Sequence, residues 1–182
     1  MVDHDPVISA QMQCNKHVVK MILELAQMLS TAHRVLDGSV SIGQTKTGRK
    51  RKVYKHPNPQ KDAILYQATH INHPCSIWVR DGKEHYQWAY DHFCGLCDEY
   101  SFRYGKIHKT DYLLREMLQS IPVNMPETSI YYPLAMPDEF INHSKYVKEQ
   151  KEAVKCYREY YISKQHYFKM EWTNRQKPEW FA

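Results

Sequence analysis

VVKMILELAQML, residues 18–29, is almost continuously apolar, and Lys20, Glu24 and Gln27 break it at helical spacing. At about 100° per residue, Gln13, His17, Lys20, Glu24, Gln27 and Thr31 fall in one stripe roughly 80° wide. The rest of that helix is fit for burial. A narrow acid/base stripe on an otherwise buried helix marks either the solvated edge of an amphipathic helix or a place where chemistry is done.

Working outward, Asp5-Pro6 predicts a helix opening, an acidic cap followed by proline at the first helical position. The 3.6-residue pattern runs from there through Val35 and stops at Asp37-Gly38. Residues 39–59 read as a long basic central loop with room for a short hairpin between Val40 and Tyr54. Further helices are expected over Gln60–Ile71, from Asp81 to Tyr104 with Gly105 closing it, and from Thr110 or Asp111 through Leu118. Four prolines (Pro122, Pro126, Pro133, Pro137) make 121–137 an irregular crossing segment. A last long helix is expected over Ser144–Trp172. The expected class is therefore mainly α, residues 1–182 forming a single compact helical domain around that basic loop.

The chain has 182 residues, 42% hydrophobic, enough for a real core. Its apolar runs fall short of the 18 or so residues needed to span a bilayer. Acids stand near the N-terminus where a secretory signal carries Lys or Arg. Five cysteines, an odd number, argue against a disulfide framework. The expectation is a cytoplasmic protein, in the host cytoplasm if viral, with no membrane partner.

The formal charge of +5 is unevenly spread. Residues 44–61 hold seven positive side chains (Lys46, Arg49, Lys50, Arg51, Lys52, Lys55, Lys61) and no acid, and from Ser144 onward nine Lys/Arg face five acids. Two basic patches and 14 tyrosines, whose flat rings stack well on bases, point to nucleic acid, with double-stranded DNA the expected partner.

Six constellations carry candidate chemistry. Lys20 and Glu24, one turn apart, either pair or present a carboxylate walled by Ile22, Leu23, Leu25 and Ala26, which tends to hold its proton nearer neutrality. On the 81–104 helix, His85, Trp88, His92, Leu96, Glu99 and Arg103 share a stripe beside the buried face of Ala89, Phe93, Cys97, Tyr100 and Tyr104. Arg103, Lys106, His108 and Lys109 surround the Gly105 turn just before a helix start, a place for a phosphate. HPCSIWVR, residues 73–80, offers Trp78 for stacking and Arg80 for a phosphate, or is a loop whose Ile77 and Trp78 plug the core. The tail adds Trp172, Arg175, Lys177, Trp180 and Phe181, either a DNA contact or a lid docked on the core. Cys94/Cys97, Cys14/His17 and His70/His73/Cys75 have metal-ligand spacings. With one CxxC inside a helix they make no strong zinc signature, and neither metal nor cofactor is expected.

CNKHVVKMILE (residues 14–24) and HPCSIW (73–78) resemble a family of tailed-phage proteins sharing those two segments. The layout also resembles the phage pyrimidine-dimer DNA glycosylases of the endonuclease V type, compact helical enzymes with a His and a Glu on the first helix and a basic, aromatic tail. That resemblance implies a base-excision glycosylase with abasic-site lyase activity, in DNA repair. Glu24 and His17 would sit at the site with Lys20, and the terminal amine would be the nucleophile, borne by Val2 once Met1 is removed. The nucleic-acid contacts would come from Arg49, Lys50, Arg51, Lys52, Trp78, Arg80, Arg103, Lys106, His108, Lys109, Arg175 and Trp180. The basic loop over 44–59 has no counterpart there. The rival expectations are a non-catalytic nucleic-acid-binding or host-factor-interaction protein, and a small metal-dependent nucleotide hydrolase built on His92, Glu99 and Arg103.

Overall fold

The computed structural model describes residues 1–45, 47–142 and 150–181. It is mainly α, with one two-stranded antiparallel sheet. Among the described residues no helix is long and apolar enough to cross a membrane. All five cysteines are free thiols.

The first expected helix is two. Helix α1 spans Pro6–Gln11, its N-terminus capped by the Asp5 carboxylate on the Val7 and Ile8 amides, and α2 spans Asn15–Leu36. Cys14 between them is extended (φ −70°, ψ 162°). Distant groups make this break affordable by taking the backbone polar atoms it frees. The Cys14 amide donates to the Tyr161 hydroxyl and the Asn15 amide to the Glu171 carbonyl, both at 2.8 Å. Trp172 Nε1 donates to the Met12 carbonyl and Arg103 to that of Gln11. Each partner lies far along the chain, so local periodicity carried no sign of the break.

At the other end α2 stops where Asp37-Gly38 predicts. A Cβ at Gly38 would lie 2.3 Å from the Arg34 carbonyl oxygen, so only glycine lets the chain turn there. The basic loop is a hairpin, β1 (Ser39–Gln44) paired with β2 (Lys50–Lys55) so that Ser39 faces Lys55 and Gln44 faces Lys50. Its root is held by Arg34, wholly buried near the end of α2. The guanidinium donates to the carbonyls of Tyr54, Asp62, Leu65 and Tyr66 and to the Asp62 carboxylate. These bonds also explain why α3 (Pro59–Ile64) turns extended at Leu65 rather than continuing to Ile71.

HPCSIWVR corrects the loop reading. It forms α4 (Pro74–Arg80), with proline at the first helical position and the His73 ring accepting from the Cys75 amide. Helix α5 (Lys83–Tyr104) closes on a left-handed Gly105, and α6 (Lys109–Gln119) is capped by His108 rather than by Thr110 or Asp111. The proline-rich crossing lays Tyr131 and Tyr132 over Trp78, His85 and Trp88. After α7 (Asp138–Asn142), the expected start of the last helix at Ser144 falls outside the described residues. Helix α8 (Gln150–Ser163) and a 3-10 turn (Lys164–His166) end well before Trp172. Beyond them the tail is irregular because its rings are spent on packing.

Two apolar clusters result. The larger joins α1, α2, α4, α5 and α6 around Ile22, Leu29, Tyr86, Phe93 and Leu114. The smaller gathers Val2, Cys14, Tyr161 and Phe181, with Phe168, Trp172 and Trp180 against it. The second cluster docks the tail and sets α8 beside the N-terminal half of α2, where the site lies.

Candidate functional site

A cavity of about 270 Å³ opens between α2, α4, α5 and α8. Its walls are apolar: Met21, Leu25 and Met28 from α2, Trp78 and Val79 from α4, Trp88 from α5. Met1, Gln13, His17, Lys20, Glu24 and His92 bring polar groups to it, as do Tyr157, Tyr160, Tyr161 and Lys164. A second cavity of about 330 Å³ adjoins it on the α4 side, shares Met21, Glu24, Met28 and Cys75, and adds Gln27, His70 and His73. The stripe Gln13–His17–Lys20–Glu24–Gln27 therefore lines a groove, buried at Gln13 and open to solvent at Lys20 and Glu24. All four residues expected to be catalytic, Val2, His17, Lys20 and Glu24, border the first cavity.

Their states differ. Glu24 is not walled by apolar groups. Its side chain is 40% exposed and pairs at 3.1 Å with Lys20, itself 65% exposed, whereas Ile22 and Leu25 are buried. His17 packs edge-on against Tyr161 and Phe168. Burial, then the charges of Lys164 and Lys20, lower its pKa to about 4, so the ring is neutral. Its Nδ1 and the Gln13 Oε1 are buried at the cavity without a hydrogen-bond partner among the described residues.

Val2 contributes differently from expectation. Its side chain belongs to the second cluster, and its amide donates to Ser9 Oγ at 3.1 Å. The Met1 amine, buried beside the cavity, is pulled by that burial from 8.0 to about 6, against a partial offset from Cys75. An amine in that range is largely unprotonated at neutral pH, the form that attacks carbon.

The expected nucleic-acid contacts divide. Arg49, Lys50, Arg51 and Lys52 are exposed on the hairpin, as are Lys106 and Lys109 beside Gly105. Trp78 is buried against Trp88 and His85, with its indole N–H on the Tyr131 carbonyl, so it walls the cavity rather than offering an outer stacking face. Arg80 folds back on the Ser76 carbonyl, and the His108 ring is used as a cap. Arg103 and Arg175 both donate to Glu99, at 2.7 and 2.9 Å, and Glu99 is 2% exposed. Trp180 Nε1 points at Met12 Sδ, with Arg158 stacked on its ring.

The histidine stripe of α5 is structural. His92 donates through Nδ1 to the Pro6 carbonyl at 2.7 Å, which leaves Nε2 to accept from Gln13. Burial lowers its pKa to about 3. Among the described residues, neither His92 with Glu99 nor any of the three Cys/His spacings forms part of a group of three ligand atoms close enough to hold a metal. Sequence reasoning missed Trp88, Tyr157 and Tyr161 as cavity walls; each joins it through long-range packing that leaves no local signal. Comparison of the chain with models of known protein families, with curated proteins and with solved structures finds no match in any of the three.

Proposed function

We propose that this chain is a DNA-acting base-excision glycosylase with abasic-site lyase activity, of the phage type, and that the α2 cavity receives an extruded nucleotide. One observation carries the reading. An amine of lowered pKa, a carboxylate and two unsatisfied polar atoms converge on a cavity walled by two tryptophans. Indole walls suit a flat, unstacked base, and unpaired acceptors suit its edge. The amine lone pair attacks C1′ as the bond from C1′ to the base breaks, and the base leaves as its anion to be protonated by water. The Glu24 carboxylate takes a proton from the new C1′ ammonium and passes it to O4′ as the C1′–O4′ bond breaks, which opens the sugar to a protonated Schiff base. Loss of a C2′ proton to water then expels the 3′ phosphate by β-elimination. The basic hairpin sits past the far end of α2, about 18 Å from Glu24 at 1.5 Å per residue, a separation a duplex can bridge.

The test is borohydride trapping of the purified chain on duplexes carrying a pyrimidine dimer or an abasic site. The expected result is a covalent adduct that maps to the terminal amine and whose yield rises as pH passes about 6. An adduct on Lys20 would keep the lyase and move the nucleophile. The exposed Lys20–Glu24 pair favours a second reading, a non-catalytic nucleic-acid-binding protein. Salt-sensitive binding without any adduct establishes that reading and removes the first.

A further inference from the structure

At the opposite end of α2 from the cavity, three side chains converge that the proposed chemistry does not use. His33 and Asp37 stand one turn apart on the last stretch of α2, and His56 follows β2. One ligand atom from each lies within 4.8 Å of the others. His33 is wholly buried, and the side chains of His56 and Asp37 are nearly so. Among the described residues His33 Nδ1 and His56 Nε2 are both buried without a hydrogen-bond partner of normal geometry, the Ser120 backbone being the polar group that bears on the His33 ring. Two orphaned imidazole nitrogens beside one carboxylate need an explanation.

The surrounding bonds fix which atoms are free to ligate. The Tyr86 hydroxyl donates to the Leu118 carbonyl at 2.8 Å, and a carbonyl can only accept. The 3.0 Å contact between Tyr86 and His33 Nε2 is therefore an N–H from the ring, which leaves the lone pair on Nδ1. The Asp37 oxygens are oriented by the amides of Val123 and Asn124, both at 2.9 Å, and Asp37 stays ionised with its pKa below the usual carboxylate range. A hydrogen-bond acceptor behind one imidazole and oriented amides behind a carboxylate are the supports that metal ligands have.

We propose that His33 Nδ1, the Asp37 carboxylate and His56 Nε2 form a binding site for a first-row divalent transition ion of the Zn²⁺ type. Two nitrogens and one carboxylate suit such an ion better than Mg²⁺ or Ca²⁺, which take oxygen. Asp37 Oδ2 and His56 Nε2 are already 3.8 Å apart, close to what two ligands of one ion about 2.1 Å away require. Loading asks one change. His56 Nδ1 now accepts from the Asn58 amide at 3.1 Å, and a metal on Nε2 moves the ring proton to Nδ1 and leaves that exposed amide to water. The bound ion ties the root of the basic hairpin to α2 and, through Asp37, to the 123–124 turn. The site does not depend on the glycosylase reading.

The test is titration of the metal-stripped full chain with Co²⁺, then Zn²⁺. One equivalent of Co²⁺ should bind, with visible d–d absorption and no thiolate charge-transfer band, and Zn²⁺ should displace it. Saturating Zn²⁺ should raise Tm by about 5–10 °C. Asp37→Asn and His56→Gln should each weaken binding by about 100-fold or more, and Cys75→Ser should leave it unchanged. A thiolate band, no stoichiometric uptake by the unsubstituted chain, or unchanged affinity in Asp37→Asn and His56→Gln overturns the proposal. Should the ligand variants fail to fold, the stoichiometry in the unsubstituted chain decides it.

Discussion

Two helices carry nearly the same sequence device, and the structure uses it in opposite ways. α2 and α5 are each 22 residues long, and each sets histidine, glutamate and a cation along one stripe. On α5 the stripe is sealed. His85 accepts from the Tyr131 amide while its Nδ1 donates to the Trp78 carbonyl, His92 bonds to Pro6 and Gln13, and Glu99 is held by two arginines. On α2 the stripe lines a cavity, His17 Nδ1 has no partner, and Glu24 remains reachable from solvent. A titratable residue whose hydrogen bonds are complete holds the fold together. One left incomplete at a cavity is free to meet a ligand. Burial alone does not separate the two, since the more buried stripe is the one without a cavity role for its carboxylate.

The largest expected effect titrates the buried histidines of both helices with acid. His92 on α5 and His33 and His17 on α2 hold pKa values of about 3, 4 and 4 in the folded chain against 6.5 when unfolded, so between those values the unfolded state binds more protons. Their contribution is complete above about pH 6.5 and is lost as pH falls toward 4, at about 1.4 kcal/mol per unit for each group. Urea unfolding followed from pH 7 to pH 4 should show that slope, and His92→Gln should remove about a third of it. A flat profile would mean that these rings are not buried neutral.

Next in size is Glu99→Ala, which leaves the buried Arg103 guanidinium without its carboxylate and frees Arg175 in the tail. The expected loss is about 3–5 kcal/mol by denaturant unfolding. By contrast, Glu24→Gln on the open stripe removes only an exposed pair and should shift stability by no more than about 0.5 kcal/mol. The same change should lower trapped-adduct yield by about 100-fold or more. If Glu24→Gln destabilises as Glu99→Ala does, or leaves the adduct intact, the contrast between the stripes fails. Smallest of all for stability is replacement of Arg49, Lys50 and Arg51 by alanine. The exposed hairpin should fold unchanged within about 0.5 kcal/mol, while the slope of log affinity against log salt falls by up to about 0.9 per lost phosphate contact.

Much of the frame was readable from local chemistry. Asp5-Pro6, Asp37-Gly38 and Gly105 each mark a terminus through a cap or a backbone conformation that few residues allow, and all three terminate helices where expected. The polar stripe of α2 was readable because 3.6-residue spacing is a property of the chain itself. Its partners were not. Pro74 was read as ending structure, although proline at a first helical position begins it. The last helix was carried on to Trp172 because its composition is helical, whereas Phe168, Trp172, Trp180 and Phe181 gain more by packing on Val2, Cys14 and Tyr161. The His33–Asp37–His56 cluster went unread: His33 and Asp37 stand at i, i+4 on one helix end, but His56 reaches them only when the hairpin folds back.

By itself the sequence determined the mainly helical class, where α1 begins and α2 ends, both ends of α5 and α6 to within about two residues, and the acid/base stripe. All of these follow from hydrogen bonds and side-chain spacing within a few residues. Only the tertiary structure decided that α1 and α2 part at Cys14, that Arg34 gathers the hairpin root, and which of two similar carboxylates, Glu99 and Glu24, is sealed and which borders a cavity. Those outcomes depend on which distant groups complete a buried polar atom's hydrogen bonds, and the chain settles that only when it packs.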